Sequence, residues 1–363
     1  MKKFDIAWWR THFDEDDIAS VVHSIKSECI SMGKVTEEFE QKIADVLNVP
    51  YVVATSSGST ALTMALMAIG IDVGDEVIVP NRTWIATAHA PAILGAKVVL
   101  VDVLPNIPII DASKIEEKIT SRTKAIIPVS LNGRGVNMPE ILKIADKHGL
   151  AVIEDAAQSF LAKEKGSYAG TMARMGCFSL SVAKLIPTGQ GGFVVTSDSE
   201  LYKQLKRIRT HGIDDVINCE YHQLGFNFRI TDLQSSLGIT QLAKASKRIA
   251  AINEIYAIYQ SELSHLKHIS LIPSHPSDGE IPLYIEALSE KREALINYLA
   301  NKSIQTRPFY PNLDTAKYLN AVGEFPSSRI FSQQGLFLPS GPAQTHETIY
   351  RVCNEIKEFD RLC

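Results

Sequence analysis

The chain has 363 residues, 45% hydrophobic and 21% charged, with 37 Lys and Arg against 41 Asp and Glu. A net charge of -4 on an ordinary globular composition excludes the basic balance of a nucleic-acid or anionic-membrane binder, and no apolar run reaches the roughly 20 residues that span a bilayer. The five cysteines, Cys29, Cys177, Cys219, Cys353 and Cys363, lack metal-ligand spacing, and the N-terminal residues lack a signal-peptide core, so free thiols, no metal and a cytoplasmic setting are expected.

Up to about Asn48, two stretches with apolar residues at three and four spacing predict helices, the second with Thr36 as its N-cap. Tyr51 to Ala54 reads as a strand, after which T-S-S-G-S-T-A-L opens a helix. Backbone amides at such a start suit a phosphate, while plain capping by Ser57 or Ser59 explains the same residues. From Glu76 onward, E-V-I-V-P, K-V-V-L-V-D-V, K-A-I-I-P-V-S and L-A-V-I-E-D-A alternate with helical patterns. That alternation predicts a mostly parallel sheet covered on both faces. Ligands of such sheets sit beyond the carboxyl ends of strands, where Trp84, Asn132, Asp155 and Gln158 fall. A carboxylate at the end of an apolar strand needs a cationic or N–H partner, and a protonated pyridine ring is one such partner.

Gly176 to Thr196 then reads as strand, lysine loop, glycine turn and strand, with Lys184 its one charged residue. Desolvation lowers a lysine pKa, so Lys184 is either a Schiff-base nucleophile or a solvent-facing loop lysine. Cys177 nearby reads as a packed thiol. A charged helix and a loop from His211 follow, then one long amphipathic helix after Thr231, a surface loop at Pro273 to Pro282, a helix at R-E-A-L-I-N-Y-L and a strand entering R-P-F-Y-P. The expected division is a large α/β domain over residues 1–240 and a smaller α+β domain over 241–363.

Lys184 in F-S-L-S-V-A-K, the following T-G-Q-G-G, E-D-A-A-Q, T-S-S-G-S-T-A-L and G-F-N-F-R stand in one order across almost the whole chain. Together they resemble the DegT/DnrJ/EryC1/StrS family of sugar aminotransferases, and Q-T-R-P-F-Y-P with G-L-F-L-P-S is similar to its perosamine-synthase branch. The resemblance implies a fold-type I, aspartate-aminotransferase-like scaffold, its large domain built on a mostly parallel seven-stranded sheet, that carries pyridoxal 5'-phosphate covalently on Lys184. Lys184 would also shuttle a proton, and Asp155 would pair with the pyridinium nitrogen. Gln158 would sit near the ring hydroxyl and Trp84 on the ring face, with a core or interface tryptophan as the other reading. Gly58, Ser59 and Ser179 would hold the phosphate, completed by Asn227 from the neighbouring subunit of a homodimer with shared active sites.

The chain departs from the family pattern at Gln190, Ser130 and Asn132, positions expected on the substrate side, and in a shortened segment from Gly279 to Leu288. Its intact lysine argues against the dehydratase relatives, which carry histidine there. The implied reaction moves an amino group from glutamate to a nucleotide-linked 4-keto-6-deoxy sugar. Arg307 and Tyr310 are further candidates to touch a carboxylate or diphosphate, and Arg229 is expected to serve structure or the interface. Other readings are a keto-cyclitol acceptor and a cofactor-bound regulatory protein without turnover.

Overall fold

The computed structural model describes residues 4–215 and 217–363; Met1–Lys3 and Val216, the latter in the loop expected after His211, lie outside them. Strands β1 (Tyr51–Thr55), β2 (Glu76–Pro80), β3 (Lys97–Val101), β4 (Thr123–Ile126), β5 (Ala151–Asp155), β8 (Met175–Ser179) and β9 (Gly192–Thr196) form one sheet in the order β1-β9-β8-β5-β4-β2-β3. Only β9 runs against the others, pairing antiparallel with both β1 and β8. A two-stranded hairpin, β6 (Lys163–Glu164) and β7 (Ser167–Tyr168), interrupts the run between β5 and β8. The expected sheet is therefore present, and its apolar strands are buried because helices cover both faces.

The helices are α1 (Glu15–Lys26), α2 (Lys34–Leu47), α3 (Gly58–Ala68), α4 (Ala86–Ile93), α5 (Met138–His148), α6 (Ser199–Arg209), α7 (Asp232–Ala243), α8 (Ala245–Leu263), α9 (Arg292–Asn301), α10 (Pro326–Gln334) and α11 (His346–Leu362). Thr36 is not the N-cap of α2. It lies inside the helix, and the buried Asp232 accepts from the amides of Gly33 and Thr36 at 2.8 and 2.9 Å, so a distant carboxylate satisfies that helix start. The helix expected over D-L-Q-S-S-L-G-I-T-Q-L-A-K-A is α7, capped by Thr231, and a second helix, α8, follows it after Lys244. Among the described residues no helix is long and apolar enough to cross a membrane.

A second sheet joins β10 (Ser270–Leu271), β11 (Ile285–Leu288), β13 (Gly335–Leu338) and β12 (Arg307–Pro308), all antiparallel. It packs with α8, α9 and α11 around Tyr259, Leu299, Leu338 and Ile356. The N-terminal segment joins this part of the molecule through bridges from Ile6 to Ile304 and from Trp9 to Ser340. Pro273 to Pro282 is not simply a surface loop. Ser274 and Ile281 are buried, and the Ile281 carbonyl lies where a Cβ on Gly133 would have to go, at 1.9 Å. Gly133, with φ +75°, is thus required by both its backbone conformation and that close approach. The neighbouring Arg134 is buried and pairs with Glu286 of β11 at 2.5 Å, while its Nε donates to the Pro273 carbonyl at 2.9 Å. A charge pair this deep is costly to break, so it ties the two sheets' loops together firmly.

Candidate active site

Beyond the carboxyl ends of the parallel strands lies a cavity of about 460 Å³, lined by residues from the turns after β1, β2, β5 and β8 and by the edge of the second sheet. It holds Gly58, Ser59, Trp84, Asp155, Gln158, Ser179, Lys184 and Gln190 together, seven of the eight expected site residues plus one of the departures. Its position follows from topology, since each parallel strand delivers its terminal residue to the same end of the sheet.

Asp155 ends β5 and is buried. Its Oδ2 accepts from Thr87 Oγ1 at 2.7 Å and its Oδ1 from the Ala157 amide at 3.1 Å. Burial pushes its pKa up, opposed by those two bonds and more weakly by Lys184. The carboxylate has two good donors but, among the described residues, no cation in hydrogen-bond contact, an environment that a protonated ring nitrogen would complete. Lys184 lies in a turn closed by its own amide, which donates to the Ser181 carbonyl at 2.9 Å. Burial lowers the ammonium to a pKa of about 8, with Asp155 pulling the other way, so the free amine is a minor but accessible form near neutral pH. The Cys177 thiol is buried, which pushes its pKa well up and leaves it inert, as a packed cysteine should be.

Helix α3 begins with Ser57 as N-cap, its Oγ accepting from the Thr60 amide at 3.1 Å while its carbonyl takes the Ala61 amide. Capping by Ser57 is therefore real. It leaves the amides of Gly58 and Ser59 without a partner among the described residues, at the positive end of the helix and in the cavity wall. A Cβ on Gly58 would stand 2.8 Å from the Ser179 Cβ, so glycine keeps Ser179 against the helix start. Two free amides and two hydroxyls in such a cradle suit a phosphate. Trp84 is 55% exposed and stands edge-on to Tyr310 at 5.4 Å, which rules out the core reading of that tryptophan. Arg307 lines the same cavity with its guanidinium 4.2 Å from the Trp8 ring, and burial lowers its pKa.

The expected placement of two of the departures changes. Ser130 and Asn132 do not face the cavity; both are buried, and Asn132, at φ 55°, pairs its side-chain amide with both backbone groups of Tyr284. Those bonds measure 2.6 and 2.9 Å, and the Ser130 carbonyl accepts from Ser159 Oγ. These polar residues thus hold backbone at the junction of the sheets. Asn227 is absent from the cavity of its own chain. It is exposed, with its Oδ1 accepting from Arg229 Nε at 2.8 Å, so Arg229 orients it. Thr87, Ser181, Tyr284 and Trp8 line the cavity without having been singled out from sequence. Thr87 was the most accessible of them, lying three residues beyond Trp84 and thus on the same side of a helix start.

A sheet with one reversed strand, a half-buried lysine after β8 and a buried aspartate at the end of β5 define the class of fold-type I, pyridoxal-phosphate-dependent aminotransferases. Residues 11–357 match the DegT/DnrJ/EryC1/StrS aminotransferase family, and the chain belongs to it. It is 35% identical over 336 residues to a GDP-perosamine synthase of Escherichia coli O157:H7, covering 91% of each chain. To the dTDP-3-amino-3,4,6-trideoxy-alpha-D-glucose transaminase of Streptomyces venezuelae it is 32% identical over 347 residues, 94% of this chain and 91% of that one. The crystal structure of S. venezuelae DesV with a ketimine intermediate superposes with a TM-score of 0.90 at 31% identity, over 95% of this chain and 94% of that one.

Proposed function

We propose that this enzyme transfers an amino group from glutamate to a nucleotide-linked keto sugar, with pyridoxal 5'-phosphate held covalently by Lys184. When bound, the cofactor supplies an electron sink for the carbanion formed at the donor α-carbon. The observation that carries the reading is the convergence of Lys184, Asp155 and the free Gly58 and Ser59 amides at the start of α3 on one cavity. Asp155 keeps a proton on the ring nitrogen, and Thr87 and the Ala157 amide hold the carboxylate in the orientation that does so. Lys184, depressed to a pKa of about 8, both anchors and moves a proton, because either protonation state is accessible near neutral pH. Gly58, Ser59 and Ser179 would hold the phosphate, Trp84 would cover the ring, and Gln158 would meet the ring hydroxyl.

Arg307 and Lys184 are the cationic side chains among the described residues that line the cavity, and Lys184 is committed to the cofactor. Arg307 is then the group for a substrate anion, the carboxylate of glutamate or the diphosphate of a nucleotide sugar. Asn227 serves the phosphate of a neighbouring subunit, which makes the working unit a homodimer. Residues up to about 240 and 241–363 act as two domains, with the segment around Ile6 and Trp9 crossing to the second, and the five unpaired cysteines suit the cytoplasm. Ping-pong kinetics follow, the donor leaving before the acceptor arrives. The test is to convert the loaded enzyme to its amine form with glutamate and offer a panel of nucleotide keto sugars and keto-cyclitols. Return of the original spectrum with a nucleotide sugar is the expected result. Return only with a cyclitol, or with nothing, contradicts the sugar assignment.

A further inference from the structure

The turn that carries Lys184 has no helix or strand of its own between β8 and β9, yet both carbonyls flanking that lysine are held from outside. The Tyr284 hydroxyl donates to the Ala183 carbonyl at 2.9 Å, and Arg248 Nη1 donates to the Leu185 carbonyl at 3.3 Å. Both side chains are buried, and they come from different elements, the residue before β11 and α8. The Ala183 carbonyl shares a peptide plane with the Lys184 amide, so fixing the one fixes the direction from which the lysine side chain starts.

Tyr284 is itself anchored. Trp8, Trp9 and Phe337 pack around its ring within 5.8 Å between centroids. Asn132 grips its amide and carbonyl, and the Asn132 amide donates to Gln158 Oε1 at 3.0 Å. A continuous path of hydrogen bonds therefore runs from Gln158 through Asn132 and Tyr284 to the lysine turn. The ring also forms cavity wall, with Lys184 Nζ 5.9 Å from its centroid. Burial pushes the phenol far above its ordinary pKa, so it stays a neutral donor.

We infer that Tyr284 is a positioning residue for Lys184, acting with Arg248 as a bracket on the two carbonyls beside it. The inference rests on the reading of Lys184 as the cofactor lysine. Tyr284→Phe keeps the packed ring and removes one hydrogen bond, so its effect should be local and about threefold to tenfold.

The test compares hydrogen exchange of peptides covering 180–188 in the full-length wild type and Tyr284→Phe, without and with cofactor, together with the pH titration of the bound cofactor's absorbance. The expected result is exchange about threefold to tenfold faster in that segment in both states, little change elsewhere, and a displaced titration midpoint. In glutamate turnover, kcat falls and KM holds. Unchanged exchange and an unchanged midpoint overturn the inference, as does exchange accelerated uniformly over the chain, which marks general stability. Failure of wild type to take up cofactor at Lys184 sinks the functional reading instead, while exchange in the cofactor-free protein still decides whether Tyr284 restrains the turn.

Discussion

Thr87 Oγ1 lies 2.7 Å from Asp155 Oδ2, and this bond joins the first turn of α4 to the end of β5 in the buried wall of the cavity. It lowers the carboxyl pKa against the upward pull of burial, and so keeps charge available for a ring proton. Thr87→Val preserves shape and removes the donor. A hydrogen bond to a charged group contributes about 1.5 to 3 kcal/mol, so the glutamate half-reaction should slow about tenfold or more in stopped-flow absorbance. An unchanged rate would show that the Ala157 amide alone holds the carboxylate.

Lys184 gives a pH dependence with a definite sign. Burial lowers its pKa to about 8 from an ordinary value above 10, so the free amine grows as pH rises through 8. Capture of pyridoxal phosphate by the cofactor-free protein should therefore accelerate from pH 7 to 9 and level off above it. A rate still climbing steeply at pH 10 would mean a normal, solvated lysine.

Gly58→Ala tests the cradle. The added Cβ meets the Ser179 Cβ at 2.8 Å, and one side must yield. Overpacking of this kind costs about 1 to 3 kcal/mol, here at the point where phosphate would sit, so cofactor affinity by equilibrium dialysis should fall about tenfold. Equal affinity would remove Gly58 from the phosphate site.

The sheet and its strand-end residues were legible in sequence because continuous apolar strands separated by helical patterns leave few topologies, and the first polar residue after each strand is marked. Asp155 could be read that way, and Lys184 stood out as the one charged side chain between Gly176 and Thr196. Asn132 could not: it shares the strand-end position, yet its left-handed backbone and its bonds to Tyr284, 152 residues away, turn it into a clamp on buried backbone. The same holds for Asp232 at the start of α2 and for Glu286 beside Arg134, whose partners are set by tertiary packing rather than local pattern. Tyr284 carried no signal at all in G-E-I-P-L-Y-I, since a tyrosine before a short strand is ordinary until the lysine turn is folded against it.

Asn227 tests the shared site. It is exposed and oriented by Arg229, outside its own chain's cavity. Lys184→Ala and Asn227→Ala chains, each impaired alone, should regain activity when mixed, because one site of each heterodimer carries neither lesion. Absence of recovery in verified heterodimers would return Asn227 to its own subunit.

The most direct measurement is borohydride reduction followed by peptide mapping, made before and after glutamate. In the loaded enzyme the reduced cofactor should be found on Lys184. Pretreatment with glutamate should abolish the label, and a nucleotide keto sugar should then restore it. Label on another lysine, or label on Lys184 that glutamate leaves untouched, would contradict the assignment of this chain as a transaminase working through Lys184.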